Sequence, residues 1–207
     1  MTIIKDIMQS SVSEGYLELI LGPMFSGKTT TLLKIYSQCK FCNIPVSVIN
    51  FEGDNRYCDS SMLSSHDKHM IPCIKGSSIK QIFIDNKEEL DKSEVYLINE
   101  GQFFTDILEV IDLVENKNKR VYICGLDGDF QKNKIGSLID LIPHCDKVHK
   151  LRALCSECKD GKQALFSYRI THETDQVVIG VDNYKPVCRK CYNELNKKKE
   201  EKLKNNL

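Results

Sequence analysis

The run Gly22-Pro23-Met24-Phe25-Ser26-Gly27-Lys28-Thr29 contains the chemistry needed to cradle a phosphate, and it matches GxxxxGK[ST] without a gap. The glycines let the backbone wrap closely round an anion with successive N–H groups turned inward. Lys28 is a movable positive charge for the β- and γ-phosphates, and Thr29 offers a hydroxyl to Mg²⁺. A helix starting at Lys28 adds its unpaired N–H groups and the positive end of its dipole. Such a loop implies a bound nucleoside triphosphate. It does not distinguish a kinase from an ATPase or a GTPase.

A second constellation is made of sulfur. Cys155-x-x-Cys158 and Cys188-x-x-Cys191 are separated by 29 residues. Each CxxC turn presents two thiolates on one side, and two turns complete a closed tetrahedral site suited to structural Zn²⁺. Four thiolates leave no position for a reacting water. Cys39-x-x-Cys42 has no matching pair and reads as structural or incidental. Cys39, Cys58, Cys73, Cys124 and Cys145 read as small buried hydrophobes. His66, His69, His144, His149 and His172 have no partners at a telling spacing and read as surface or satisfied structural residues.

These groups need a frame. The six residues from Tyr16 to Leu21 read as a strand running into the phosphate loop. Leu32, Ile35, Tyr36 and Cys39 then recur at helical spacing. Residues 45–51 form a second strand, 77–89 a helix, 95–98 a short buried strand, 103–115 a helix through Ile107, Leu108, Ile111 and Val114, and 120–124 another strand. Strands separated by helices of this length predict an α/β fold, a parallel sheet with helices on both faces. Ligands in such sheets sit at the carboxyl ends of the strands, where the phosphate loop falls.

Residues 1–14 read as a mobile arm, 15–150 as the nucleotide-binding domain, 151–192 as a small zinc-stapled lobe and 193–207 as a polar tail, a frayed helix or disordered. Among 207 residues, 41% are hydrophobic and 28% charged, with 29 basic and 29 acidic side chains. That balance gives no global field for nucleic acid or an anionic membrane. No run approaches the roughly 20 apolar residues of a membrane span, and residues 1–14 lack a signal peptide's apolar stretch. The expected location is a reducing cytoplasm.

A phosphate-loop enzyme needs a second acidic group at another strand end, and the run Leu97-Ile98-Asn99-Glu100-Gly101-Gln102-Phe103-Phe104 supplies one. With that run, GPMFSGKT at residues 22–29, LDGDFQ at 126–131 and the paired CxxC motifs, the sequence resembles the thymidine kinases of the cellular and poxviral type, over about residues 18–192. The resemblance implies phosphorylation of a deoxynucleoside by ATP, thymidine being the first substrate to try. It implies that Glu100 takes the proton from the nucleoside 5′-hydroxyl. It further implies that Phe130 and Tyr184 hold the base and sugar and that Met24 and Leu126 line an apolar pocket. Asp175, Gln176, Val177, Val178 and Ile179 match a loop that closes over the nucleoside. Asp54, Asn55 and Arg56, together with Asn99 and Gln102, match the phosphate side, with Arg56 the candidate for charge stabilisation. A homotetramer and inhibition by the end-product triphosphate are implied as well.

One residue departs from the family pattern. Asn99 stands where the family usually has aspartate holding Mg²⁺ and its water shell. Asparagine keeps a carbonyl acceptor but loses the charge, which weakens the metal's hold. Three readings stay open: a tolerated variant, compensation by a carboxylate such as Asp54 or Asp127, or a weakened or regulatory protein. A different class also remains, a P-loop motor whose Cys₄ unit grips nucleic acid.

Overall fold

The computed structural model describes residues 14–53, 62–64, 70–178 and 180–205. Its centre is a six-stranded parallel sheet of β1 (Tyr16–Leu21), β2 (Val46–Phe51), β5 (Ile74–Gly76), β6 (Val95–Asn99), β7 (Arg120–Gly125) and β8 (Lys147–Lys150). The order across the sheet is β5-β2-β6-β7-β1-β8. Because side chains alternate across a strand, each strand feeds two cores. Leu17, Leu19 and Leu21 of β1 join Tyr96, Ile98, Val121 and Ile123 on one face, under α2 (Ile79–Asp85) and α4 (Val110–Glu115). Ile20, Val95, Leu97 and Tyr122 point to the opposite face, against Leu32, Leu33, Ile35 and Cys39 of α1 (Lys28–Phe41). Burial on both faces explains why β6 and β7 are almost wholly apolar. The short hairpin of β3 (Met62–Ser64) and β4 (Met70–Pro72) adds Leu63 and Ile71 to the α1 side.

The strands expected from sequence are present within a residue or so. The helix expected over 77–89 is broken at Asn86, whose side chain donates back to the Ile82 carbonyl at 3.0 Å. It resumes as α3 (Lys87–Leu90). The helix expected over 103–115 begins only at Val110, after a 3-10 turn at Gly101–Phe103 and another at Ile107–Glu109. Asp106 is the reason: its carboxylate accepts from the N–H groups of Ile79 and Lys80 and from Ser78 Oγ, capping α2. That contact draws the chain out of a continuous helix, while Phe104 turns fully into the core.

Beyond β8 the elements shrink. β9 (Ala153–Leu154) pairs with β10 (Gln163–Ala164), and β11 (Phe166–Arg169) pairs with β12 (Tyr184–Val187). A separate small cluster of Ala153, Ala164, Tyr168, Val187 and Tyr192 surrounds the four paired cysteines. The polar C-terminal segment is helical, α5 (Arg189–Asn205), and Leu195 packs onto this cluster. Among the described residues no helix is long and apolar enough to cross a membrane.

Candidate functional site

Residues 22–29, the expected phosphate loop, connect the end of β1 to the start of α1. Gly27 has φ 82°, a left-handed conformation that glycine takes without strain. At Gly22 a Cβ would lie 2.7 Å from the Leu151 carbonyl oxygen, so only glycine lets the β8 exit pass this close. Lys28 is 8% exposed, and its Nζ donates to the Pro23 carbonyl at 2.8 Å, folded back over the loop. Met24 N–H donates to Ser167 Oγ at 2.9 Å, which joins the loop to β11.

Asn99 and Glu100 follow at the end of β6. Asn99 is buried beside its register partner Asn50 of β2 and donates to Asn50 Oδ1 at 2.8 Å. Its own Oδ1 accepts from Cys124 Sγ at 2.9 Å and from Thr29 Oγ1 at 3.4 Å. The position next to the phosphate-loop hydroxyl is therefore a neutral amide held on three sides. Asp127, one proposed source of compensating charge, places its carboxylate 2.6 Å from Lys150 Nζ.

Glu100 is 7% exposed and adopts φ 55°, ψ 40°, a left-handed conformation that costs a residue with a Cβ about 1–2 kcal/mol. Gln102 bridges this residue to the neighbouring strand. Its Nε2 donates to Glu100 Oε2 at 2.6 Å, and its Oε1 accepts from Leu126 N–H at 3.0 Å. The Gln102 amide is thus spent on orienting Glu100 against the end of β7.

Met24, Phe25, Ser26, Gly27, Lys28 and Thr29 from the loop, Glu100 from β6, and Leu126 and Phe130 from beyond β7 line one cavity of about 160 Å³. Gln176, Val177, Val178 and Tyr184 close it from the cysteine-bearing lobe. Gly22, Pro23, Asn99, Gln102 and Asp175 are not part of this lining. Asp54, Asn55, Arg56 and Ile179 lie outside the described residues, as do Cys58, His66 and His69. Sequence reasoning missed Phe51, Phe103, Asp129, Ile135 and Ser167, which also line the cavity. Asp129 stands within the LDGDFQ run and is held locally by the N–H groups of Gln131 and Asn133, whereas Ser167 has no local signature and acquires its place through Met24, remote in sequence. Gln176 Nε2 donates to Asp129 Oδ2 and to the Lys134 carbonyl, both at 3.0 Å.

The four paired cysteines converge: the Sγ atoms of Cys155, Cys158, Cys188 and Cys191 all lie within 4.8 Å of one another. A tetrahedral Zn²⁺ with about 2.3 Å bonds to sulfur needs sulfurs about 3.8 Å apart, so the set fits such an ion. Burial pushes the Cys155 thiol up, but N–H groups of Cys158, Cys188 and Glu157 outweigh it and bring it down to about 6. Cys39 behaves oppositely, pushed up to about 11 by burial and then by Cys42, as expected of an inert core thiol. His149 Nε2 approaches a buried Glu18 carboxylate oxygen at 2.9 Å.

A family model described as thymidine kinase matches residues 15–192. The thymidine kinase of Variola virus is 37% identical over 179 residues, spanning 86% of this chain and 97% of its own length. Thymidine kinase 1 of Dictyostelium discoideum is 38% identical over 186 residues, 86% of this chain and 78% of its own. That of sheeppox virus is 37% identical over 179 residues, 86% and 97% of the two chains. With a matched span that runs from the first strand through both CxxC pairs, the chain belongs to the thymidine kinase family.

Proposed function

We propose that the protein transfers the γ-phosphate of ATP to the 5′-hydroxyl of thymidine, giving ADP and thymidine monophosphate for DNA-precursor salvage. The observation that carries this reading is that Glu100, residues 24–29 of the phosphate loop, Tyr184 and residues 176–178 all line one cavity. The attacking oxygen forms a bond to the γ-phosphorus, the bond to the β,γ-bridging oxygen breaks, and the hydroxyl proton passes to the Glu100 carboxylate. In a loose transition state that proton leaves late, so a positioned carboxylate of ordinary basicity suffices. Lys28 and the loop N–H groups neutralise charge accumulating on the phosphates. The loop over the cavity excludes water, the competing acceptor.

Mg²⁺ would be held by Thr29 with the Asn99 amide oxygen, and it supplies charge neutralisation and alignment of the phosphates. Two neutral oxygens fit a hydrated Mg²⁺ carried in by ATP better than a site that binds the metal alone. Zn²⁺ is the ion we assign to the four thiols, in a purely structural role. The family resemblance supports a homotetramer, feedback by the end-product triphosphate and a cytoplasmic location. Sedimentation with and without that triphosphate tests the first two together.

The deciding assay follows labelled γ-phosphate from Mg-ATP into thymidine, with Glu100→Gln as its paired control. Labelled thymidine monophosphate from the wild type and little from the variant is the expected result. Absence of product with ATP binding intact would turn the reading toward another nucleoside or a weakened, regulatory protein.

A further inference from the structure

Arg169, the last residue of β11, is 2% exposed and among the largest fully buried side chains of the protein. Its guanidinium is used in an uncommon way. Nη1 donates to the carbonyls of Glu173, at 3.2 Å, and Asp175. Nη2 donates to the carbonyl of Gln176 at 3.1 Å and to the Tyr184 hydroxyl. The Tyr184 hydroxyl in turn accepts from Val178 N–H at 3.2 Å. One planar cation therefore fixes the backbone at 173, 175, 176 and, through Tyr184, 178. The same guanidinium stacks 3.8 Å from the centroid of the Phe130 ring and 5.1 Å from that of Tyr184, both of which line the cavity.

We propose that Arg169 is a positioning residue for nucleoside binding, the latch that holds residues 173–178 in their closed conformation over the cavity. The inference rests on the nucleoside-kinase reading for its consequence and on geometry alone for the latch itself. A buried cation facing carbonyl oxygens loses its solvation unless those oxygens stay in place, so opening the loop is opposed by desolvation as well as by lost hydrogen bonds. Lysine cannot substitute: it has no planar fork able to hold several acceptors at once. Apparent affinity falls in proportion to the fraction of time the competent conformation is populated. Removing the fork should therefore raise the nucleoside KM about 10- to 100-fold, while the KM for ATP moves by about twofold or less, because the Arg169 partners named above all lie outside the phosphate loop.

The test is amide hydrogen exchange on the nucleoside-free full chain, read beside steady-state kinetics, for Arg169→Met, Arg169→Lys and Tyr184→Phe. Both Arg169 variants should exchange at least about tenfold faster over 173–178, with β12, α5 and metal content as in the wild type, and should show the KM split. Tyr184→Phe, which removes one hydroxyl, should accelerate exchange mainly at Val178. Wild-type exchange over 173–178 in Arg169→Met would overturn the latch, and wild-type behaviour of Arg169→Lys would overturn the fork as the holding element. Should Arg169→Met lose its metal and its lobe, unchanged exchange at Val178 in Tyr184→Phe is the overturning result. Exchange requires no turnover, so the latch is judged even if thymidine proves to be the wrong acceptor.

Discussion

The sheet and the cysteine-bearing lobe solve the same problem, holding a side chain still, by opposite means. The sheet buries two continuous apolar cores, and a fully buried Leu or Ile contributes about 1.5–3 kcal/mol each. Groups at its strand ends, Asn99, Glu100 and Leu126, inherit that rigidity. The lobe has strands of two to four residues and one small cluster wrapped round four thiols. A core of that size needs a staple, and the four thiols are placed to take the tetrahedral ion proposed above as one. On the function proposed above, Glu100, which would meet the reacting atoms, stands on the rigid part, and the loop proposed to cover the nucleoside hangs from the cysteine-bearing part.

The sharpest way to break this division is Glu100→Gln, which should lower kcat by about 10²–10⁴-fold while nucleoside affinity and melting temperature hold. Loss of affinity in equal measure would show that Glu100 belongs to binding. Next is Cys158→Ser, expected to lose the metal, unfold the lobe and raise the nucleoside KM by at least about tenfold, with ATP binding kept by the sheet. Normal metal content and normal KM would mean the lobe folds without its staple.

Asn99→Asp probes the boundary between the two demands. It places a charge in a buried position whose register partner Asn50 is neutral, and should cost about 1–3 kcal/mol of stability without Mg²⁺. Tighter Mg²⁺ dependence of the rate should accompany that cost. Unchanged stability and unchanged metal dependence would show that the amide is an idle variation.

The smallest effect concerns the cap of α2. Burial pushes Asp106 up, but the Lys80 N–H, Ser78 hydroxyl and Ile79 N–H outweigh it and hold the carboxyl below its usual range. The contribution is therefore fully present above the unfolded carboxylate value near 4 and is lost as pH falls through the lower folded value. Asp106→Asn should lower stability by about 1 kcal/mol at neutral pH and flatten the acid limb of the stability profile. Equal acid sensitivity in both proteins would locate that limb elsewhere.

The parts of this protein that the sequence disclosed share one property: their chemistry is local. The phosphate loop is eight consecutive residues, and the strands announce themselves by apolar runs bounded by turns. The paired CxxC motifs carry their ligand set in their spacing. Where the structure departs from those local patterns, the reason is equally physical. Three-residue β5 at the sheet edge has too few side chains to show a period, and the helix expected over 103–115 was interrupted because Asp106 is used by a different helix. Gln102 stood in a recognisable run, but its service to Glu100 depends on Leu126 N–H, which only the pairing of β6 with β7 brings near.

What the amino-acid order determined by itself was the inventory: a phosphate loop, a carboxylate at a strand end, four thiols and an alternating α/β pattern. The tertiary structure decided which of these meet. It set Asn99 against Asn50 and Thr29, carried Ser167 to the phosphate loop from 143 positions away, and buried Arg169 beneath the loop it holds. Such contacts have no sequence period, because a hydrogen bond between remote residues is specified by the packing of everything between them.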